Sequence, residues 1–569
     1  MLRHRAMIKR TKTIFSIYVR PLLVLFSGLI LVSLVTHPWQ NYLTLDDWTN
    51  AASVRAFVDG GGIQFVEWTT QFYFTLIFWG ALFCMPFGFS LGALHVSTMV
   101  LAVFGLWAFY GLLRELDIRR SSAWFGVALM AFLPPFFLLA HSFMDEIPFW
   151  SLFIISSYFY ITGQKKQKES LIWLAVCFNL LAFFIKIYAI VGILSLLIYR
   201  ITHRKRLYFD FSDLLPVLGF GVIGGVIYHF STLFIEQQGV FNSSGLFTEY
   251  YSGYFSDIFY KMLTAILNIS FLLLPLSVAV FNFRRLRGYV YCGVGLAALC
   301  TLSLYQQGAF PETLSEYNIF NLWELGQSRT YIAGRFDARN IADWADLVVL
   351  SLGLFSGSVL SYIFLETVND YRKLLSGVRF VFYLQGILLS LIMIGFWGFS
   401  DQFYIFIIPV IIFMALATKP LKSYRIVIGA IFIIFSGIIC FTGTLDHINH
   451  QKKLQEAYTF LVSGGVSQKD IDAGYTVNGW YAYAAQKPLS LNIKNDENTI
   501  HAVTPVYDRP YWIISKSEIP GYKTYREYDE GSFYWSTDNS VSLLYFNYEP
   551  PSEKINKLKK KQSKKARKN

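Results

Sequence analysis

A polytopic α-helical membrane protein of about thirteen transmembrane helices, with a small extracytoplasmic α/β domain near its C-terminal end, is the fold this sequence predicts. Three observations predict it. Of the 569 residues, 54% are hydrophobic, 18% aromatic and only 15% charged, a balance far from that of a soluble globular chain. Apolar runs of roughly 15–25 residues recur as far as Phe441, each close to the length that crosses ~30 Å of hydrocarbon as a helix. The basic residues behind the formal charge of +12 sit mostly in short loops between those runs, where they report on topology and not on a nucleic-acid partner.

Arg3, Arg5, Lys9, Arg10 and Lys12 precede a first span over residues 14–35 and place the N-terminus on the cytoplasmic side. No small-residue cleavage site follows, so this span is expected to be retained and not removed as a signal peptide. The segment after it then faces outward. Two apolar runs, 72–89 and 91–113, lie between that segment and the next basic loop, "RELDIRR". If both crossed, the basic loop would face the wrong side, so the first, broken by Pro86 and glycines, reads as a juxtamembrane or re-entrant part of an outer loop over 37–90. Further spans are expected over 123–140, 147–161, 171–185, 188–199, 214–234, 257–281, 290–305, 347–364, 380–396, 403–417 and 425–441. The inner loops are then all basic: "GQKKQKE", "YRITHRKR", "FRRLRG", "NDYRKLLSGVR" and "TKPLKSYR". The outer segments, including 141–146 and the turn at Lys186, are placed to roof one site.

Residues 1–445 thus form the membrane domain and 446–550 a water-soluble one. The latter opens on a helical pattern, "HINHQKKLQEAYTFLVSGG", and continues in alternating runs such as "YWIISKSEI" and "SLLYFNY" between turn residues, an α/β signature. Residues 551–569 read as a disordered basic tail. All five cysteines, Cys84, Cys177, Cys292, Cys300 and Cys440, lie in apolar segments, so no disulfide framework or thiolate metal site is implied.

Charge at a membrane boundary is where chemistry is to be sought. Asp46 and Asp47, in "NYLTLDDWTN", stand directly after the first span. With Thr44 they read either as the cap of a helix beginning at Trp48 or as a general base or metal ligand at the outer interface. Asp145 and Glu146, in "SFMDEIP", begin a span with Pro148 in its first turn, which is ordinary helix-start composition. Both pairs nevertheless fall on the same face, and carboxylates brought together raise a pKa toward the value a base needs. Lys186 interrupts nearly thirty apolar residues in "LLAFFIKIYAIVGIL"; it reads as a snorkelling lysine or as a phosphate ligand. Arg329, Arg335 and Arg339 in a large outer loop offer cations suited to bidentate phosphate contact. The aromatic residues of the outer loops fit an interfacial belt. No Walker loop, zinc-ligand spacing or nucleophile elbow occurs, which excludes a soluble nucleotide-driven engine.

The stretches "LDDW", "SFMDEIP", "FFIKIYA" and "SDQFYIFIIP", with the C-terminal "GVSQKDIDAGYTVNGWYAYA" and "YWIISKSEIPGYK", resemble the C-type membrane glycosyltransferases of the protein mannosyltransferase and aminoarabinose transferase superfamily, the bacterial glycosyltransferase family 39-like proteins. That resemblance implies transfer of a sugar from a polyprenyl-phosphate donor, such as an undecaprenyl-phosphate sugar, to an extracytoplasmic acceptor, with inversion, in the plasma membrane. It implies Asp46 as the base, Asp47 and Asp145 orienting the acceptor or tuning that base, Glu146 supporting them, and Lys186 holding the donor phosphate. Asp401 lies on the outer face, but where the family often has Asp-Arg-Tyr this chain has Asp401, Gln402 and Phe403, so no role for that arginine carries over. No cofactor is required by this reading, although two acidic pairs could hold a divalent metal ion. A lipid-linked saccharide flippase would call for mid-span charges and repeated halves, which the sequence lacks. A glycan polymerase or ligase would share the large outer loop and its arginines.

Overall fold

In the computed structural model, which describes residues 19–44, 47–65, 73–202, 215–237, 254–307, 343–370, 377–395, 401–418, 421–484, 512–515, 522–529 and 540–546, the apolar runs are helices. They are α1 (Arg20–Thr36), α2 (Asp47–Val58), α3 (Phe74–Cys84), α4 (Leu91–Glu115), α5 (Arg120–Ala131), α6 (Pro134–Ala140), α7 (Glu146–Lys166), α8 (Glu169–Phe183), α9 (Ile190–Thr202), α10 (Leu215–Gln237), α11 (Tyr254–Leu272), α12 (Leu274–Val280), α13 (Leu286–Gln307), α14 (Asp343–Asn369), α15 (Arg379–Gly395), α16 (Asp401–Thr418), α17 (Ser423–Ser463) and α18 (Gly474–Ala484). Among the described residues, four helices are long and apolar enough to cross a membrane, or six if each of two bent pairs is one span. Many large apolar side chains remain exposed on the outside of the bundle, among them Leu31 on α1, Val222 on α10, Val294 on α13 and Ile434 on α17. Helices apolar on both their inner and outer faces require lipid as the outer solvent, so the chain is a multi-pass membrane protein.

Three features depart from simple spans. The runs expected as single helices over 123–140 and 257–281 each bend by 66°, between α5 and α6 and between α11 and α12. In both, proline occupies the first turn of the second piece, where its missing N–H costs nothing, while it could not continue the first helix. The run around residue 80 forms only the 11-residue α3, about 16 Å long and too short to cross. Helix α17 continues for 41 residues, about 60 Å, straight through position 445, where the sequence places the start of the C-terminal domain.

The far end of α17 packs Leu454, Ala457, Tyr458 and Leu461 against a sheet of strand order β1-β2-β4-β3, comprising β1 (Ile471–Asp472), β2 (Trp512–Ser515), β3 (Tyr522–Asp529) and β4 (Ser540–Phe546). β1 pairs parallel with β2, and β4 runs antiparallel to both β2 and β3, with an irregularity between Thr524 and Arg526. Helix α18 ties this unit to the membrane domain. Trp480 joins the cluster of Trp48, Ala51, Ala52 and Val54 on α2, and a Cβ at Gly479 would lie 2.5 Å from the Trp48 ring, so glycine is what lets the two helices touch.

The two ends of the bundle differ in charge. At one, Asp117 in the α4–α5 loop meets Lys165 at 3.2 Å and Arg379 at 3.3 Å, Lys166 meets Glu115 at 3.3 Å, and Arg285 pairs with Glu366. At the other end of the 21-residue α7, about 30 Å away, lie Asp145 and Glu146.

Candidate active site

The site is assembled from three short segments at that second end: residues 37–65, residues 141–146 and the turn at Lys186. The chain leaves α1 through His37 in a left-handed conformation (φ 50°) and crosses the start of α4. Crossing requires Gly92, where a Cβ would fall 2.1 Å from the Trp39 carbonyl oxygen. Asn41 Oδ1 then accepts from Gly92 N at 3.3 Å, and Ser90 caps α4 by accepting from Ala93 N.

Asp47 opens α2. Its Oδ1 accepts from the Thr44 backbone N–H at 2.7 Å while its own N–H donates to the Thr44 carbonyl at 3.0 Å, a reciprocal lock of the capping-box kind. The residue is 0% exposed. Its Oδ2 faces His95 Nε2 at 3.7 Å across the first turns of α4, and Tyr42 stacks on the His95 ring at 4.2 Å. Burial pushes the Asp47 carboxyl above the ordinary aspartate value, while His95 and the Thr44 and Phe143 backbones pull it back.

The first segment is bound directly to the second. The Tyr42 hydroxyl donates to the His141 carbonyl at 2.7 Å, and Asn50 Nδ2 donates to the Phe143 carbonyl at 3.2 Å. His141 is itself buried, with Nδ1 2.7 Å from the Phe137 carbonyl and Nε2 3.1 Å from Thr36 Oγ1. Burial lowers its pKa to about 4.

Asp145 and Glu146 are held differently. Asp145 occupies the N-cap position of α7 but makes no side-chain cap hydrogen bond. Its Oδ1 instead lies 2.9 Å from Lys186 Nζ, and Glu146 Oε1 lies 3.2 Å from the same ammonium. Lys186 is 4% exposed and Glu146 2%. Lys186 is delivered by a break in the helix: α8 ends, the extended Lys186 precedes a single 3-10 turn over Ile187–Ala189, and Asn179 Nδ2 satisfies the Ala189 carbonyl at 3.0 Å. Its ammonium also sits 5.5 Å from the centre of the Phe403 ring, which brings the start of α16, the helix Asp401 opens, to the same place.

Two carboxyl groups share one ammonium in this site, and Glu146 Oε2 has no hydrogen-bond partner. A lysine ammonium has three donors, of which two are committed here, so one remains. The site therefore presents a free acceptor and a free cationic donor side by side. It does not fit a resident metal ion: among the described residues no three His, Cys, Asp or Glu side chains converge, and Lys186 stands between the carboxylates that would share a cation.

Of the residues singled out from sequence, Asp145, Glu146 and Lys186 are in contact, and Asp47 is tied to their segment through Tyr42 and Asn50. Asp46, Arg329, Arg335 and Arg339 lie outside the described residues, as does the side chain of Asp401. Sequence reasoning passed over His95, His141 and Tyr42. A histidine in the apolar "LGALHVSTMV" was the available signal, since an ionisable group inside a membrane helix rarely lacks a purpose.

No protein-family model matches the chain, and no curated protein matches it. Among solved structures, the fold is similar to that of ArnT from Cupriavidus metallidurans bound to undecaprenyl phosphate, at 11% identity over 92% of this chain and 97% of that one, with a TM-score of 0.40. It is similar at 12% identity to the archaeal oligosaccharyltransferase AglB from Archaeoglobus fulgidus in complex with an inhibitory peptide and a dolichol-phosphate, over 76% of this chain and 59% of that one, with a TM-score of 0.38.

Proposed function

We propose that the protein is a glycosyltransferase of the plasma membrane that moves a sugar from a polyprenyl-phosphate donor to an extracytoplasmic envelope acceptor, with inversion at the anomeric carbon. The observation that carries this reading is the buried cluster of Asp145, Lys186 and Glu146, hydrogen-bonded through its own segment to the loop bearing the first acidic pair. An ammonium with a donor to spare suits a departing phosphate, and unsatisfied carboxylate oxygen suits a sugar or acceptor hydroxyl. The basic loops gathered at the opposite end support an outward-facing site by the positive-inside rule.

A lipid phosphate monoester is already a competent leaving group, so the protein needs only a base and a cation. Asp46 takes the proton of the acceptor hydroxyl as its oxygen attacks the anomeric carbon. The carbon–oxygen bond to phosphate breaks, its electron pair leaves with the lipid phosphate, and Lys186 receives that charge. Asp47 holds the loop, while Asp145 and Glu146 orient the acceptor. Arg329, Arg335 and Arg339 add donor-phosphate contacts.

The test is transfer of labelled sugar from polyprenyl phosphate by the purified protein in liposomes. Asp46→Asn is expected to lower turnover by roughly 10²–10⁴-fold with donor binding kept. Equal turnover by wild type and this variant overturns the base assignment. Movement of the lipid across the bilayer without any transfer overturns the enzyme reading and leaves a flippase.

A further inference from the structure

Asp47 of the first acidic pair faces a histidine that the reaction above does not use. His95 is 0% exposed, and its Nδ1 lies 3.2 Å from the Pro38 carbonyl. A carbonyl cannot donate, so the hydrogen on that side belongs to Nδ1. The other nitrogen, Nε2, faces Asp47 Oδ2 at 3.7 Å, and neither atom has another hydrogen-bond partner within reach. A bare imidazole nitrogen facing a bare carboxylate oxygen in a dry site would set lone pair against lone pair. One proton between them removes the repulsion, whether the pair is imidazolium with carboxylate or imidazole with carboxylic acid, and either form is neutral as a unit.

The placement matters because of what each partner holds. His95 is fixed to the crossing segment at Pro38 and clamped by the Tyr42 ring, and Asp47, next to Asp46 in the sequence, grips the Thr44 backbone N–H with its Oδ1. The dyad therefore closes a ring of contacts from α4 through Asp47 to the loop that carries Asp46.

Resting on the transferase reading, we propose that His95 is a positioning residue: it shares one proton with Asp47 and so fixes the loop that presents Asp46 to the acceptor. The other titratable groups around the dyad are Tyr42, stacked on it, His141, to which the Tyr42 hydroxyl is bonded at the backbone, and His447 of α17, whose Nε2 is 3.3 Å from Thr44 Oγ1. Burial raises the Asp47 carboxyl, so rising pH leaves a buried anion at Asp47, loosens the loop and lowers turnover without removing the phosphate contact at Lys186.

The experiment compares wild type, His95→Ala and His95→Gln in liposomes, reading kcat, donor KM and thermal unfolding from neutral to alkaline pH. His95→Ala is expected to lower kcat by ~10²-fold, the cost of a misplaced reacting group, with donor KM little changed. The glutamine amide can donate to the Asp47 carboxylate at every pH, so His95→Gln should recover most of that loss and no longer fall away at alkaline pH. Its unfolding temperature should likewise stay flat where that of wild type declines. If the two variants lose equally and keep the wild-type pH profile, His95 is only a packing residue and the proposal fails. If wild type transfers nothing, the transferase reading fails instead, and the unfolding profiles alone decide the dyad: parallel decline in wild type and His95→Gln refutes it.

Discussion

Asp47 and Asp145 each stand at a helix start beside a second acid, and the chain treats them in opposite ways. Asp47 spends one oxygen on the backbone N–H of Thr44 and turns the other to His95, with the Phe143 backbone also against its carboxyl, so it ties the loop to the helix beneath it and to the neighbouring segment. Asp145 occupies the N-cap position and makes no cap; its carboxylate is turned to Lys186, 41 residues further along the chain, where it meets Glu146. The same dipeptide chemistry thus serves once as a splint and once as half of a charge cluster. Both arrangements leave a buried carboxyl oxygen without a hydrogen-bond partner, Asp47 Oδ2 and Glu146 Oε2, but only the second sets it beside an ammonium with a donor to spare, and such unmet capacity in a buried site is what a ligand can satisfy.

Removing the cluster's one cation should break the comparison most severely. Lys186→Met leaves the buried Glu146 and the partly buried Asp145 with no cation between them, and breaking a buried ion pair in this way costs ~3–5 kcal/mol. The expected outcome is a large drop in thermal stability in detergent together with loss of transfer. Stability close to that of wild type would mean that water reaches the cluster freely.

The splint side has its own signature, in the pH dependence. His141 holds the Tyr42 hydroxyl at its backbone, and its ring titrates in the folded state at about 4 against 6.5 when unfolded. The unfolded state therefore binds more protons between those values. The contribution of this group to stability is complete above the unfolded value and is lost as pH falls toward the folded one, by a few kcal/mol in order of magnitude. Unfolding temperatures measured down that window should fall for wild type and fall less for His141→Gln. Asp47, raised by burial, acts with the opposite sign: its contribution is lost as pH rises.

The fold class was legible because membrane helices advertise themselves by apolar length, and the outer helices here are apolar on all sides. Two of the strands were legible too, since Trp512–Ser515 falls inside "YWIISKSEI" and Ser540–Phe546 overlaps "SLLYFNY", the alternating runs. The 66° bends were written in Pro134, Pro135 and Pro275, but hydropathy integrates across a proline and reports one span. The juxtaposition of Lys186 with Asp145 was out of reach for a different reason. Nothing local marks it, because the contact depends on α8 returning beside α7 and then breaking at Lys186. His95 was hidden in the same way: a single histidine has no periodicity, and its meaning lies in the chain that crosses above it.

A gentler change sharpens the comparison. Asp145→Asn leaves Lys186 with one acidic partner, Glu146. Stability should change by no more than about 1 kcal/mol, because Glu146 still pairs with Lys186 in the variant. Transfer should still fall severalfold, since the acceptor-facing carboxylate is lost. A strongly destabilised but active variant would reverse the roles assigned here to the two acids of the pair.

The smallest effect is expected where the cluster's chemistry recurs with its stoichiometry inverted. At the basic end of the bundle one carboxylate, Asp117, is shared by two cations, Lys165 at 3.2 Å and Arg379 at 3.3 Å. The distances match those around Lys186, but Asp117 is 65% exposed and Arg379 36%, so water screens what the interior would magnify. Exposed pairs of this kind contribute ~0–1 kcal/mol. Arg379→Ala should accordingly shift the unfolding midpoint by little, and less at high salt, with sugar transfer unaltered. If it instead costs as much as Lys186→Met, burial is not what separates the two clusters, and the case for a ligand at Lys186 loses its physical basis.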